Sequence, residues 1–395
     1  MGKWEELEKK YHMGTFRRVP GVFVRGEGVR AWDENGKSYL DLVAGWAVDS
    51  LGHCHPVVVE AVTKQVRTLI QTSNQFYTIP QLQLAELLVE NSCLDKVFFC
   101  NSGAEATEGS VKLARRYGAL KLNGAYEVIT TFNSFHGRTL AMTAATGQPK
   151  FQDPYRPLPI GFVNVDFNSI DAIKAATTEK TCAVMLEPLQ AEGGVNIPAP
   201  DYLKEVRQWC DQKGILLILD EIQTGIGRLG TLFGYQQFAV EPDIIALAKG
   251  LGSGMPIGAI MCKKEFDVFV PGEHGSTFGG NPVTCAAGYA TLKYIIDNDI
   301  PGHVAEVGKY FIGKLKELQR KHKLVSDVRG LGLLLALELN KDIAPTVLLS
   351  CLEKGLMVNQ LKPNALRFIP PLIITKQEID EVIAILDEVL GGLPG

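Results

Sequence analysis

A lysine and an acid each follow an apolar run of the sequence, in an arrangement that suits amine–carbonyl chemistry. Lys249 comes after the run 244–248 and before a glycine-rich stretch, and Asp220 ends a second run, 215–219. Burial disfavours the charged ammonium, so a buried lysine loses part of its proton affinity. A neutral amine can attack a carbonyl and form a Schiff base. A Schiff-base lysine and an acid that pairs with a ring nitrogen are what pyridoxal phosphate (PLP) requires.

Each half of this pair also has a simpler explanation. A lysine at the end of a strand can be a snorkelling side chain or a phosphate ligand. An aspartate in the same position can cap a helix or form a turn. The cofactor interpretation therefore depends on phosphate and ring contacts elsewhere in the chain.

Two further segments have residue types that suit those contacts. Residues 102–104 are small, follow a strand-like run and open a helical pattern, so a phosphate could approach free N–H groups at a helix N-terminus. The same segment also fits a plain capping box. Phe135 could stack on a flat ring, and Arg138 could bind a carboxylate with its planar guanidinium. Core packing for Phe135 and a surface ion pair for Arg138 are the alternatives.

Apolar runs alternate with helical patterns through the middle of the chain, which predicts an α/β fold with parallel strands and crossover helices. Strands are predicted over 96–101, 126–132, 181–186, 215–219, 243–248 and 256–262, and helices over 102–117 and 202–213. Open α/β sheets bind ligands beyond the carboxyl ends of their strands. Asp220, Lys249 and the segments at 102 and 135 all follow such ends, so one site can collect them.

The pattern changes after about residue 285 and predicts a smaller α+β domain. Helices are expected over 283–297, 304–321, 346–353 and 376–390, and strands over 332–339 and 366–368. The N-terminal segment, with a hairpin over 28–37, is expected to join this domain. The predicted boundaries are 1–59 for the N-terminal segment, 60–285 for the large cofactor-binding domain and 286–395 for the small C-terminal domain.

Composition excludes several classes of protein. The 395 residues are 46% hydrophobic and 21% charged with a formal charge of −4, which favours a soluble enzyme over a nucleic-acid or membrane partner. The first residues lack a signal core, and the eight cysteines show no zinc spacing. His53, Cys54 and His55 alternate on an extended segment without a second ligand group, so no metal site is expected. We expect a cytoplasmic protein with reduced thiols.

Several segments, in this order, resemble those of the class III, fold-type I PLP-dependent aminotransferases, over about residues 21–390. They are LGHCHP (51–56), FCNSGAEA (99–106), NSFHGRTL (133–140), LDEIQTGIGR (219–228), LAKGL (247–251) and HGSTFGGNP (274–282). The resemblance implies a large domain with a mostly parallel seven-stranded sheet flanked by helices. It also implies a smaller α+β domain, built from the C-terminal part and the N-terminal segment.

The resemblance also implies roles at the matching positions. Lys249 would link covalently to PLP, Asp220 would pair with the ring nitrogen and Gln223 with the ring phenolic oxygen, and Phe135 would stack on the ring. The remaining expected cofactor contacts are Ser102, Gly103, Ala104, Glu221, Ile222 and Thr277. Ser276 and Thr277 would reach the site from a second subunit, Thr277 to the phosphate, which implies a homodimer with shared active sites.

On the substrate side, the resemblance is strongest to acetylornithine enzymes and implies ping-pong transamination of N-acetylornithine with 2-oxoglutarate. Arg138 would bind the α-carboxylate of the acylated ornithine, and Arg367 that of glutamate, with Glu192 covering Arg367 in the other half-reaction. Trp46 and Asp49 depart from the usual residues near the substrate and leave the acyl preference open. Ornithine, 4-aminobutyrate, succinyl-diaminopimelate and carrier-bound aminoadipate semialdehyde are alternative amino donors. A PLP mutase and a non-catalytic binding protein of the same fold are further alternatives.

Overall fold

The computed structural model describes residues 2–393. Its strands are β1 Phe23–Glu27, β2 Arg30–Asp33, β3 Ser38–Asp41, β4 Lys96–Cys100, β5 Glu127–Thr131, β6 Phe162–Val165, β7 Thr181–Leu186, β8 Leu216–Asp220, β9 Ile244–Leu247, β10 Gly258–Cys262, β11 Val325–Leu331, β12 Leu334–Leu339, β13 Leu356–Met357, β14 Asn359–Lys362 and β15 Ala365–Phe368.

The helical elements lie between and around these strands. They are α1 Lys3–Tyr11, α2 Ala44–Ala47, α3 Pro56–Thr68, α4 Ile79–Glu90, α5 Gly103–Lys121, α6 Leu140–Ala145, α7 Pro149–Gln152, α8 Ile170–Ala176, α9 Tyr202–Lys213, α10 Gly234–Phe238, α11 Pro282–Asp297, α12 Ile300–Lys321, α13 Ala344–Glu353 and α14 Lys376–Gly391. Short 3₁₀ turns cover Asp153–Tyr155, Lys249–Leu251 and Lys264–Phe266.

The seven-stranded sheet that the sequence predicts is present, in the order β4-β10-β9-β8-β7-β5-β6. Strands β5 to β9 pair in parallel, whereas β10 pairs antiparallel with both β4 and β9. The sheet is therefore mixed rather than wholly parallel. Every residue of β7, β8 and β9 is buried, which explains why these strands appear in the sequence as unbroken apolar runs.

The crossover helices follow from one-sided apolar patterns. Helix α9 buries Tyr202, Leu203, Val206 and Cys210 on one face and ends at Gly214 in the left-handed conformation (φ 65°). Such a glycine stops a helix without the steric penalty that a Cβ would add. Strand β8 begins two residues later, at Leu216. This short link therefore helps to fix the position of β8 and of Asp220 at its end.

The other two sheets have four strands each, β1-β2-β3-β13 and β11-β12-β15-β14. In the first, Leu356 and Met357 of β13 pair in parallel with Leu40 and Asp41 of β3, so the N-terminal segment is hydrogen-bonded to the C-terminal part. The three-part division at residues 59 and 285 stays a prediction.

All eight cysteines are free thiols, and six of them are buried. Burial raises the pKa of each of these six thiols to about 12, so they are unreactive core residues. Within residues 2–393, no helix has the length and apolar character needed to cross a membrane.

Candidate active site

A cavity of about 440 Å³ lies at the edge of the central sheet where the parallel strands end. The ends of β5, β7, β8 and β9 and the start of α5 all contribute to its wall. The predicted residues that line it are Ser102, Gly103, Ala104, Phe135, Arg138, Glu192, Asp220, Ile222, Gln223 and Lys249. One cavity thus brings together ten side chains or backbone segments that were predicted from separate motifs.

Lys249 lies on the turn after β9, with a left-handed backbone (φ 41°). Burial lowers the pKa of its ammonium below the usual 10.5, and the charge of Arg367 acts in the same direction. Glu192, Asp220 and Glu187 oppose this shift. The lowered pKa favours the neutral, nucleophilic form of the amine.

Asp220, the last residue of β8, is held by two donors. His136 Nδ1 lies 2.8 Å from Asp220 Oδ2, and the Ile222 amide donates to Oδ1. A carboxylate only accepts, so Nδ1 of His136 carries the proton in this contact. The His136 backbone is itself fixed, because its N–H donates to Thr146 Oγ1 and its carbonyl accepts from Thr107 Oγ1.

Glu187 is a second buried acid beside this pair. Its two carboxylate oxygens accept from the amides of Phe135 and Ala191, so it joins the loop after β5 to the loop after β7. Burial raises the pKa of Glu187 to about 7, with the charge of Asp220 adding to the effect and that of His136 opposing it. Its position after a strand end was visible in the sequence, but its role as a link between loops was not.

The start of α5 presents backbone amides that suit an anion. The first amide N–H groups of a helix have no intrahelical carbonyl to donate to. The N–H groups of Gly103 and Ala104, at the start of α5, are of this kind. A Cβ on Gly103 would lie 2.8 Å from Ile222 Cδ1, so these two segments approach closely and a larger residue would displace the end of the Ile222 side chain. Ser102 also accepts from the Glu105 amide, so the capping box and the amides that suit an anion coexist.

Phe135 and Arg138 form the mouth of the cavity. Arg138 is exposed, and its Cζ atom lies 4.1 Å from the ring centroid of Phe151 and 5.2 Å from that of Phe135. Among residues 2–393, no carboxylate lies within ion-pair distance of Arg138. The guanidinium is therefore held in place by aromatic rings while its hydrogen-bond donors stay available.

Arg367, from β15, is a fully buried arginine behind the cavity. Its Nη1 atom donates to Glu192 Oε1 at 2.6 Å, and Nε donates to Asn359 Oδ1 at 3.1 Å. Burial alone would raise the pKa of Glu192, but the charges of Arg367 and Lys249 and hydrogen bonds from Arg367 and Gln223 lower it to about 2. Glu192 and Arg367 thus form a charged pair, as the sequence predicted.

Arg228 is a second buried arginine in this region; it ends the segment 219–228 but was not among the predicted site residues. Its Nη1 donates to the carbonyls of Leu333 and Pro370. Burial lowers the pKa of Arg228 to about 9, and the charge of Arg367 adds to this effect. Arg228 is thus a second buried cation beside the Glu192–Arg367 pair.

Besides Arg367, three predicted site residues lie outside the cavity wall of their own chain. Glu221 points away from it, with its oxygens accepting from the Gly234 and Tyr235 amides at the start of α10. Ser276 accepts from Asn101 Nδ2, and the Thr277 carbonyl accepts from Gln71. The structure thus places Glu221 as a support for α10 rather than beside a ligand.

The segment α2 is a left-handed turn next to the cavity. Ala44, Gly45, Trp46 and Ala47 have φ values of 47°, 61°, 64° and 62°, and the following Val48 lines the cavity. Such a turn costs roughly 1–2 kcal/mol for each non-glycine residue. Asp41 offsets part of this cost, since its Oδ1 atom accepts from the amides of Val43 and Ala44.

This set of groups fits PLP. A lysine of lowered pKa suits the aldehyde, an acid suits the ring nitrogen, and the amides at the start of α5 suit the phosphate. Phe135 offers an aromatic face to the ring. The chemistry available to such a site is transfer of amino groups between small molecules.

The sequence matches the family model "Aminotransferase class-III" over residues 15–390. The acetylornithine aminotransferase of Caldanaerobacter subterraneus subsp. tengcongensis is 52% identical over 97% of this chain and 98% of its own length. The enzyme of the same name from Methanocaldococcus jannaschii is 51% identical over 98% of this chain and 97% of its own.

Solved structures of aminotransferases are also similar to this chain. The acetylornithine aminotransferase of Elizabethkingia anophelis superimposes with a TM-score of 0.89 at 32% identity, covering 99% of this chain and 98% of that one. The ornithine aminotransferase of Toxoplasma gondii ME49 gives 0.94 at 33% identity, covering 98% and 94%. A further structure of the Toxoplasma gondii enzyme is described as having partial occupancy of PLP at its active site.

Proposed function

The chain belongs to the aminotransferase class-III family, and from this premise we propose that it transfers the side-chain amino group of N-acetylornithine to 2-oxoglutarate. The products are N-acetylglutamate 5-semialdehyde and glutamate, and the step belongs to arginine biosynthesis. The observation that carries the proposal is the pair of arginines around Lys249. Arg138 is unpaired at the mouth, whereas Arg367 is buried and covered by Glu192.

PLP is the cofactor of this family and supplies a carbonyl that takes up the amino group and a ring that accepts electrons. Lys249, with its lowered pKa, provides the amine that holds the cofactor and then moves a proton at the reacting carbon. Asp220, held by His136, would pair with the ring nitrogen, while Gly103 and Ala104 would bind the phosphate. Phe135 would pack against the ring.

Arg138 is placed to bind the α-carboxylate of the acylated ornithine, which directs the distal amine inward. In this half-reaction the Glu192–Arg367 pair stays closed. A dicarboxylate such as glutamate therefore has no free cation for its second carboxylate. An acylated substrate has a neutral amide where ornithine has a charged amine. Burying this neutral amide against the apolar wall formed by Val48, Met255 and Ile257 costs less free energy than burying a free ammonium there.

The second half-reaction needs a different arrangement, because glutamate carries two carboxylates and reacts at its α-amine. Withdrawal of Glu192 exposes Arg367, which then binds the α-carboxylate of glutamate or 2-oxoglutarate. The positive charges of Arg367 and Arg228 favour this dicarboxylate. The two half-reactions thus use the same lysine with different arginines.

Steady-state rates with a set of amino donors test the proposal. The purified enzyme with PLP and 2-oxoglutarate is assayed with acetylornithine, ornithine, succinyl-diaminopimelate and 4-aminobutyrate. We expect the highest kcat/KM with acetylornithine. The high structural similarity to an ornithine aminotransferase makes ornithine the second candidate, and a preference for ornithine or 4-aminobutyrate would contradict the proposal.

We also propose a homodimer in which Ser276 and Thr277 complete the partner's site. This is supported by their position outside the cavity of their own chain, on a segment tied to Gln71 and Asn74. Large exposed apolar side chains surround that segment: Ile70, Phe76, Tyr77, Ile79, Leu82 and Phe278. A patch of this kind marks an interaction surface. Sedimentation equilibrium of wild type and Tyr77→Glu tests it; a monomeric wild type would contradict it.

A cytoplasmic location is proposed as well. Free, buried thiols support it, since secreted proteins usually pair their cysteines. Fractionation of cells with an antibody against the protein tests this location, and recovery of the protein outside the cytoplasm would contradict it.

A further inference from the structure

Gln223 makes hydrogen bonds to both members of the Glu192–Arg367 pair. Its Nε2 atom donates to Glu192 Oε1 at 3.1 Å, and its Oε1 atom accepts from Arg367 Nη1 at 2.9 Å. The amide is therefore used at both ends. It also lines the cavity together with Lys249.

The orientation of this amide is fixed by the charges beside it. An arginine only donates and a carboxylate only accepts, so the carbonyl must face Arg367 and the amide nitrogen must face Glu192. Rotation by half a turn would set donor against donor and acceptor against acceptor. Gln223 thus fits one arrangement of the ion pair.

The loop that carries Glu192 is anchored on both sides and cannot act as a lid. Gln190 is fully buried and donates to Thr131 Oγ1 and to the Phe132 carbonyl. A Cβ on Gly193 would lie 2.0 Å from the Asn133 carbonyl oxygen, and the Gly194 carbonyl accepts from Arg329. The backbone around Glu192 is therefore held in place.

Of the two charged partners, only Glu192 has room to move. Its side chain is 27% exposed, whereas that of Arg367 is 0% exposed. Without Glu192, Arg367 keeps the Asn359 side chain, the Ala191 carbonyl and Gln223 as acceptors. Its Nη2 atom is buried and has no hydrogen-bond partner within residues 2–393, so it is ready for an incoming carboxylate.

In the proposed function, the Glu192–Arg367 pair acts as a gate, which is closed when the two side chains are paired and open when Glu192 has withdrawn. We propose that Gln223 is the third member of this gate and acts as a positioning residue with two opposite effects. It strengthens the closed state by holding Glu192, and it keeps Arg367 in place in the open state. When Glu192 withdraws, the Gln223 amide N–H becomes free to donate to another acceptor in the cavity. Opening of the ion pair therefore changes the hydrogen bonds available on the cofactor side of the cavity. The inference rests on the proposed function for the identity of the ligand, a dicarboxylate.

Binding of glutarate to the PLP-loaded protein tests this without an activity measurement. Glutarate has the two carboxylates of 2-oxoglutarate but no group that can react. Calorimetric titration compares wild type, Glu192→Gln, Gln223→Met and the double variant. Because hydrogen bonds to charged groups are strong, we expect Glu192→Gln to tighten glutarate binding about tenfold.

The effect of Gln223→Met should change sign with the residue at position 192. With Glu192 present, loss of the amide weakens the closed gate and tightens glutarate binding about threefold. In the Glu192→Gln background, the same change only loosens Arg367 and weakens binding about threefold. Gln223→Leu repeats the test, and thermal melting identifies any variant that is unfolded.

Asn359→Leu is the matched control, because Asn359 contacts Arg367 through Nε, away from the Nη1 atom that bonds Glu192. We expect it to weaken glutarate binding in both backgrounds. An equal effect of Gln223→Met in both backgrounds would overturn the role of Gln223 and leave the proposed function standing. Absence of glutarate binding in all proteins, Glu192→Gln included, would overturn both.

Discussion

The imidazole of His136 donates to the carboxylate of Asp220 at 2.8 Å, and both side chains are buried beneath the cavity. The proposed function gives Asp220 the ring nitrogen of the cofactor as its other partner. Asp220→Asn removes the negative charge, and an opposite charge typically shifts a neighbouring pKa by about 1–3 units. We therefore expect kcat to fall about 10- to 1,000-fold, as measured by steady-state assays with saturating PLP.

His136→Asn is the control for this prediction. It keeps the charge of Asp220 but removes one of its donors, so we expect a smaller loss of kcat than in Asp220→Asn. An Asp220→Asn enzyme with wild-type kcat would contradict the role of this acid.

Removal of Glu192 should affect the two half-reactions unequally. Glu192→Ala leaves Arg367 open at all times, so the glutamate half-reaction is expected to keep its rate. Discrimination between acetylornithine and glutamate should fall about tenfold, the size of one charge-assisted contact. Single-turnover absorption changes of the bound cofactor measure both rates.

The pKa of Glu192, about 2, adds a pH test. The carboxyl is ionised throughout the neutral range, so the difference in discrimination between wild type and Glu192→Ala should contain no contribution from titration of Glu192 between about pH 6 and 9. Equal losses in both half-reactions of Glu192→Ala would count against the gate.

Glu187 should make the stability of the protein depend on pH. Its pKa is raised from 4.5 to about 7 in the folded state. The folded protein therefore binds more protons than the unfolded chain between these values, and stability falls as the pH rises through this window. Glu187→Gln does not titrate. Urea unfolding at several pH values should show wild type losing stability relative to Glu187→Gln as the pH rises from about 5 to 8.

Other buried acids do not disturb this comparison. Glu221, whose pKa burial also raises to about 7, is present in both proteins and cancels. A stability difference that stays constant across the pH range would show that Glu187 does not titrate in this way.

The link between α9 and β8 depends on a left-handed glycine. Gly214 has φ 65°, and a Cβ added there would meet nothing within 4 Å. Gly214→Ala therefore costs only the backbone strain, about 1 kcal/mol, as measured by urea unfolding.

Gly313, within α12, is the matched control, because its added Cβ would also meet nothing within 4 Å while its backbone is helical. Gly313→Ala should stabilise the protein by about 0.5–1 kcal/mol. Equal effects of the two substitutions would contradict the strain argument.

Buried strands were the best-predicted part of the fold. Strand β7 was predicted at its observed bounds, Thr181–Leu186, because it is buried on both faces and its residues after Thr181 are all apolar. Strand β6, Phe162–Val165, is at the sheet edge, half-buried throughout, and contains a central asparagine. Its pattern lacks both the apolar run and the strict alternation that identify strands, and it was missed.

The left-handed turn α2 was also missed. Ala44, Trp46 and Ala47 carry no local preference for positive φ, so only tertiary contacts such as those of Asp41 can produce it. The N-terminal helix α1 was not predicted either. It buries no residue, and the helical spacing of its apolar residues Trp4, Leu7 and Tyr11 was not interpreted as a helix.

Strand-end residues of the site were predictable, because the fold class places all such residues at one edge. The contacts between them were not. His136 and Asp220 are 84 positions apart, and Gln223 and Arg367 are 144 apart. The use of both ends of the Gln223 amide by Glu192 and Arg367 depends on side-chain geometry that no local pattern contains.

The covalent bond between Lys249 and PLP is the central claim, and borohydride reduction followed by peptide mass spectrometry tests it most directly. The protein is incubated with PLP, reduced and digested, and the peptides are searched for the added pyridoxyl phosphate. The label is expected on Lys249 alone, and Lys249→Ala should carry none. A label on another lysine, or an unlabelled wild type after reduction, would contradict the account.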